Sequence, residues 1–103
     1  MQQQVNGNHF RQLLGTPTLL YLEDGSELPV IIDSVEDTPK ARLSASSRMP
    51  FGVALSSLQS TPFVDGLCAI DLPGLGRTAD IYVSRTPALE RDASRAYFYI
   101  TFN

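Results

Sequence analysis

The residues with the most chemical potential in this chain are few and far apart. The only histidine, His9, and the only cysteine, Cys68, lie in different halves of the sequence. The densest group of acids is Glu23, Asp24, Glu27, Asp33, Glu36 and Asp37. Two positioned carboxylates can share acid–base work, as in glycoside hydrolysis. Here they fall at a hairpin tip and a strand end, which is the pattern of a solvated surface, and a D-x-D-x-D-G calcium loop is absent. A lone cysteine excludes an internal disulfide and a C-x-x-C site, and one His with one Cys cannot complete a structural zinc site. Cys68 reads as a small buried hydrophobe. No serine stands in a Gly-x-Ser-x-Gly elbow, and Ser46-Ser47 have no general base near them in sequence. Gly74-Leu75-Gly76 lacks the second half of a Gly-x-Gly-x-x-Gly phosphate loop and precedes a strand, so it reads as a turn. The expectation is a non-enzymatic chain without catalytic residues, cofactor or metal.

What remains is surface that can bind. Lys40, Arg42 and Arg48 lie in an irregular stretch with no acid among them and could meet an anionic partner. The chain as a whole carries a net charge of −3. That sign disfavours nucleic acid, whose phosphates attract basic surfaces. Tyr82, Tyr97 and Tyr99 fall on the outward parity of the last two strands. If those strands pair, the three tyrosines form an exposed aromatic face of the kind that marks contact surfaces. The alternative is that a loop or the N-terminal helix covers them. Lys40, Arg42, Arg48, Tyr82, Tyr97 and Tyr99 are therefore the candidate interaction residues.

The elements that position these residues follow from periodicity. A length of 103 residues suits one domain. Residues 1–8 read as a polar arm and 9–103 as a single β domain. His9 to Leu14 has helical spacing, with Asn8 as N-cap and Gly15 as stop. Thr18 to Leu22 is a strand, and Asp24-Gly25 marks a hairpin turn. Leu28, Val30 and Ile32 alternate, but Val35 is out of phase, which predicts a bulge near Asp33-Ser34. Pro29 in this run suggests an edge position or a bulge. Residues 37–50 form a long loop. Phe51, Val53 and Leu55 mark a third strand, and Leu67 to Leu72 a fourth. Ala79, Ile81 and Val83 are the expected inner face of a fifth, and Tyr97 to Phe102 forms a sixth. Ala88 to Ala93 can form a helical turn between the last two. The fold class is all-β: a small antiparallel sandwich or barrel of about six strands with one short N-terminal helix.

Several of these pieces together resemble an uncharacterised family of small bacterial all-β proteins, a domain of unknown function. They are His9-Phe10 with Leu13-Leu14-Gly15, Leu22-Glu23-Asp24-Gly25-Ser26 leading to Val35, Pro50-Phe51 with Val53 and Leu55, Leu72-Pro73-Gly74-Leu75-Gly76, and Tyr97 to Asn103. The Ser-rich stretch before Phe51 is longer than the family pattern. The resemblance implies association with phage-tail-collar-like proteins, hence a structural or assembly role with a protein partner or homo-oligomer, and supplies no catalytic residue. Without an n-region and apolar stretch at the start, synthesis in a cytoplasm is expected, followed by incorporation into a virion or phage-like particle if the resemblance holds. No membrane partner and no small-molecule substrate is indicated. The working surface expected from the residues is a strand edge, the tyrosine face and the 37–50 loop. The competing expectation is a small ligand-binding or enzymatic domain with a pocket under that loop.

Overall fold

The computed structural model describes residues 5–37 and 50–102. A short helix α1 (Gly7–Arg11) precedes six strands: β1 (Pro17–Tyr21), β2 (Glu27–Asp37), β3 (Phe51–Ser57), β4 (Asp65–Leu72), β5 (Gly76–Thr86) and β6 (Tyr97–Phe102). All pairings are antiparallel, and the strands close into a barrel in the order β1-β2-β3-β6-β5-β4. The expected all-β class is therefore a barrel and not a sandwich. Closure rests on two short ladders, Leu20–Tyr21 against Ala69–Ile70 and Ser84–Thr86 against Tyr97–Tyr99. A six-stranded barrel is too narrow for a lumen, so inward side chains fill it. Leu20, Val30, Ile32, Val53, Leu55, Ile70, Ile81, Val83, Phe98 and Ile100 are all buried there.

Local chemistry explains the register. At the β1–β2 hairpin, Gly25 N–H donates to Leu22 O, and Leu22 N–H to Ser26 O. Gly25 has φ +90°, which a side chain would oppose. Asp24 Oδ1 accepts from both the N–H and the hydroxyl of Ser26, which fixes the turn. The expected bulge is present: the β2–β3 register shifts between Ile32 and Ser34. The extra residue, Asp33, is exposed, and the shift returns Val35 to the inward phase opposite Val53.

Pro29 does not mark an edge, because the barrel is closed. Its carbonyl accepts from Leu58 N–H on the β3 side. In an extended strand the N–H of a residue points the same way as its C=O, so the missing donor costs the β1–β2 ladder nothing.

Four sequence expectations shift. The helix begins two residues earlier than its spacing suggested. Asn6, not Asn8, is the N-cap, accepting from Asn8 and His9 N–H, while His9 Nδ1 accepts from Asn6 N–H in a capping box. Val5 is buried in the core, so the domain takes in residues whose polar neighbours suggested an arm. In β5 the register against β4 shifts between Cys68 and Ile70, where Ala79 and Asp80 oppose Ala69 alone. Ala79 is consequently exposed, and the half-buried Thr78 takes the inward phase opposite Ile70. Between β5 and β6, residues 88–93 form no helical turn of an α-helix. Two tight turns stand there instead, closed by Arg91 N–H to Ala88 O and Arg95 N–H to Asp92 O.

Aromatic rings plug both ends of the barrel. At one end Phe10 of α1 packs on Phe51 and Phe102, with ring centroids 6.0 and 5.5 Å away. At the other, Phe63 packs on Phe98 at 5.5 Å. Arg85 Nη1 ties down the segment carrying Phe63 by donating to the carbonyls of Thr61 and Phe63.

Candidate functional site

The structure separates the sequence-predicted interaction residues. Lys40, Arg42 and Arg48, and with them residues 38–49 of the 37–50 loop, lie outside the described residues. β5 and β6 do pair, but the three tyrosines do not form one exposed face. Tyr82 is 53% exposed and sits opposite Leu67 of β4. Tyr97 is only 6% exposed. The Arg91 guanidinium lies 3.8 Å above the centre of its ring, and its hydroxyl donates to Asp92 O. Tyr99 is half-buried, and its ring lies over Gly52 of β3. A tyrosine folded across a glycine on a neighbouring strand covers backbone that would otherwise face water. Tyr97 and Tyr99 thus belong to the barrel wall, for the reason left open by parity: a loop covers the first and a glycine seats the second.

A different set of exposed apolar residues lies toward one end of the barrel. Strand alternation places the β1–β2, β3–β4 and β5–β6 connections at the same end of the barrel. Leu58 and Val64 stand exposed in the second connection and Leu89 in the third, while Leu67 and Tyr82 lie exposed on the outer face of the adjoining β4–β5 ladder. Of the large exposed apolar residues described, Leu14 alone lies at the other end. The parity of Leu67, opposite to that of Cys68, Ile70 and Leu72, was a signal available in the sequence. Leu89, an isolated leucine in a polar stretch, was another.

Beside Leu67 an open pocket of about 220 Å³ is lined by Tyr21, Leu22, Glu23, Leu67, Cys68, Ala69, Ala79 and Asp80. The β4–β5 bulge builds it. By opposing two residues to Ala69, it turns Ala79 outward, and Asp80 adopts a left-handed φ of +62°. Asp is among the residues that tolerate this conformation. The walls are mostly apolar and the two charges are acidic. Among the described residues neither Glu23 nor Asp80 has an ion-pair partner, since the two salt bridges are Arg11–Asp37 and Arg77–Asp71. Cys68 is buried, with Sγ 3.8 Å from Gly66 O. Burial, and then the charge of Glu23, pushes its thiol up to about 11, so it is protonated and unreactive near neutrality. Tyr21 donates to Asp71 Oδ2, which holds its hydroxyl above its ordinary value, and Arg77 stacks on its ring. Partial burial, followed by the charge of Asp65, raises Tyr82 as well. None of these groups is a base poised near neutral pH.

No family model, curated protein or solved structure matches the chain. Among the described residues, no group of three His, Cys, Asp or Glu side chains converges to hold a metal ion, and every buried side-chain polar atom has a hydrogen-bond partner. No helix of the described residues is long and apolar enough to cross a membrane. What this end of the barrel offers is exposed apolar area beside a mostly apolar-walled pocket.

Proposed function

We propose that this chain is a non-enzymatic assembly or interaction module that binds a protein partner through the end of the barrel carrying Leu58, Val64, Leu67, Tyr82 and Leu89. The observation that supports the reading is their gathering at one end. Single exposed apolar residues are ordinary, whereas five toward one end, two of them paired across β4 and β5, favour a contact surface. Aromatic and aliphatic side chains at the centre of such a surface carry most of the binding energy. A place in a phage-tail-like or surface assembly is the finer form of the same proposal.

The test is recovery of the tagged chain from its native context. The wild type brings down one partner in fixed stoichiometry. A Leu67→Ser/Tyr82→Ser variant loses that partner yet stays folded, its melting temperature lowered only by the few degrees that this half-exposed cross-strand pair supplies. A variant that keeps the partner, or a wild type that recovers none, overturns the proposal.

A further inference from the structure

The pocket between β1, β4 and β5 lies where two irregularities of the barrel meet. The β1–β4 ladder ends at the pair Tyr21–Ala69. Beyond it Leu22 gives its N–H to Ser26 O in the hairpin, and β1 parts from β4 beside Leu67 and Cys68. On the other flank of β4, the bulge sets Ala79 and Asp80 against Ala69. The opening between them is the cavity of about 220 Å³. Leu22, Leu67, Ala69 and Ala79 wall it. An acid borders it on either flank of β4: Glu23 from the β1–β2 turn and Asp80 from β5.

No described cation neutralises these two acids, because every described arginine is engaged elsewhere. Arg11 pairs with Asp37 and Arg77 with Asp71. Arg85 donates to the carbonyls of Thr61 and Phe63, Arg91 to those of Pro87 and Ala88, and Arg95 to Ser57 O and Ser56 Oγ. Asp65, near Tyr82, adds a charge of the same sign. After burial, it is the charge of Glu23 that raises the Cys68 thiol and that of Asp65 that raises Tyr82. The negative field therefore covers both the pocket and the β4–β5 face beside it. Apolar walls with unpaired acids at the rim suit a side chain with an apolar stem and a cationic head, since Lys and Arg lay their stems along apolar surface. An uncharged knob would desolvate the two carboxylates and compensate neither. We propose that the partner protein presents a cationic side chain, arginine or lysine, between apolar residues. The cation enters the β1–β4–β5 pocket between Glu23 and Asp80, and its apolar neighbours pack on Leu67 and Tyr82. This rests on the interaction reading above and gives the partner its chemistry. The net charge of −3 favours the approach of such a segment.

The test titrates the isotope-labelled full chain with the peptide acetyl-Ala-Leu-Arg-Leu-Ala-amide and follows backbone amide chemical shifts. The signals of Leu67, Ala69, Ala79 and Asp80 move saturably, and the affinity falls severalfold from low to high salt. The same peptide with citrulline in place of arginine keeps the shape and loses the charge. It binds roughly tenfold more weakly, the loss expected of the charge-assisted contacts. A Glu23→Gln/Asp80→Asn chain weakens the arginine peptide to the same extent and no longer distinguishes it from the citrulline one. Both substitutions preserve size, and asparagine suits the left-handed φ of +62° at position 80, so the variant keeps its fold. Absence of shifts at the pocket, equal binding of the two peptides, or affinity insensitive to salt overturns the proposal. Recovery from the native context separates it from the reading beneath it. If Glu23→Gln/Asp80→Asn keeps the partner that Leu67→Ser/Tyr82→Ser loses, the cationic contact falls and the interaction surface stands. If neither variant loses the partner, both fall.

Discussion

Alanine at position 52 would place a Cβ 1.8 Å from the Tyr99 hydroxyl oxygen, 2.5 Å from Cζ and 2.9 Å from Cε2. The φ of Gly52 is not left-handed, so space alone excludes a side chain there. The ring must swing off the sheet. If it gives up about 60 Å² of cover, the loss is about 1.5 kcal/mol, and residual overpacking adds about 1 kcal/mol. Alanine in a strand regains about 0.5–1 kcal/mol over glycine. Gly52→Ala should therefore destabilise the barrel by about 2 kcal/mol, a fall in Tm of roughly 8 °C for a domain of this size. In a Tyr99→Ala background the obstruction is gone, and the same substitution becomes neutral or stabilising. The assay is urea unfolding of the wild type, both single variants and the double. A coupling of about 2 kcal/mol or more is expected, within the range for residues in contact. Additivity within about 0.5 kcal/mol would show that Tyr99 is not seated on Gly52, and the assignment of Tyr99 to the barrel wall would fall with it.

Phe10→Ala should cost about 3–5 kcal/mol in denaturant unfolding, because its ring is fully buried between Phe51 and Phe102; a loss below about 1 kcal/mol would mean that α1 does not plug the barrel. Cys68 should react with iodoacetamide far more slowly in the native chain than in urea, and equal rates would contradict its burial. Its thiol is raised from 9.0 to about 11, so between those values the unfolded chain has released a proton that the folded chain still holds. Stability should fall as pH rises through that window, less steeply in Cys68→Ala. The Asp24 carboxylate is held below its ordinary value by the hydroxyl and then the N–H of Ser26. Its contribution is present above the unfolded pKa and lost as pH falls through the folded one, so Asp24→Asn should flatten the acid limb of an unfolding pH profile.

Much of the barrel was legible because β2, β4 and β5 bury one face and expose the other along most of their length. Leu28, Val30 and Ile32, then the slipped Val35, gave the bulge at Asp33 as a break in period. Phe98, Ile100 and Phe102 gave β6 in full. Asp24-Gly25 gave the first hairpin through the φ that only its glycine accepts easily. Closure was not legible, since it rests on short ladders between strands distant in sequence, which no local pattern records. The β4–β5 bulge escaped notice because Ala79 is small enough to sit on either face.

The surface was harder to read than the core. Parity places a side chain outward but does not say what lies over it. Tyr82, Tyr97 and Tyr99 share a parity, yet Arg91 covers Tyr97, Gly52 seats Tyr99, and Tyr82 is left open. Leu89 gave no periodic signal, because its exposure comes from a turn and not from a strand.

The central claim is that one end of the barrel is a protein-binding surface. The most direct measurement is site-specific photocrosslinking in the native context, with the crosslinker placed at Tyr82 in one experiment and at the exposed Thr101 of β6 in another. A discrete crosslinked species from position 82 and none from position 101 is the predicted result. The same products from both positions, or none from position 82, would contradict the account.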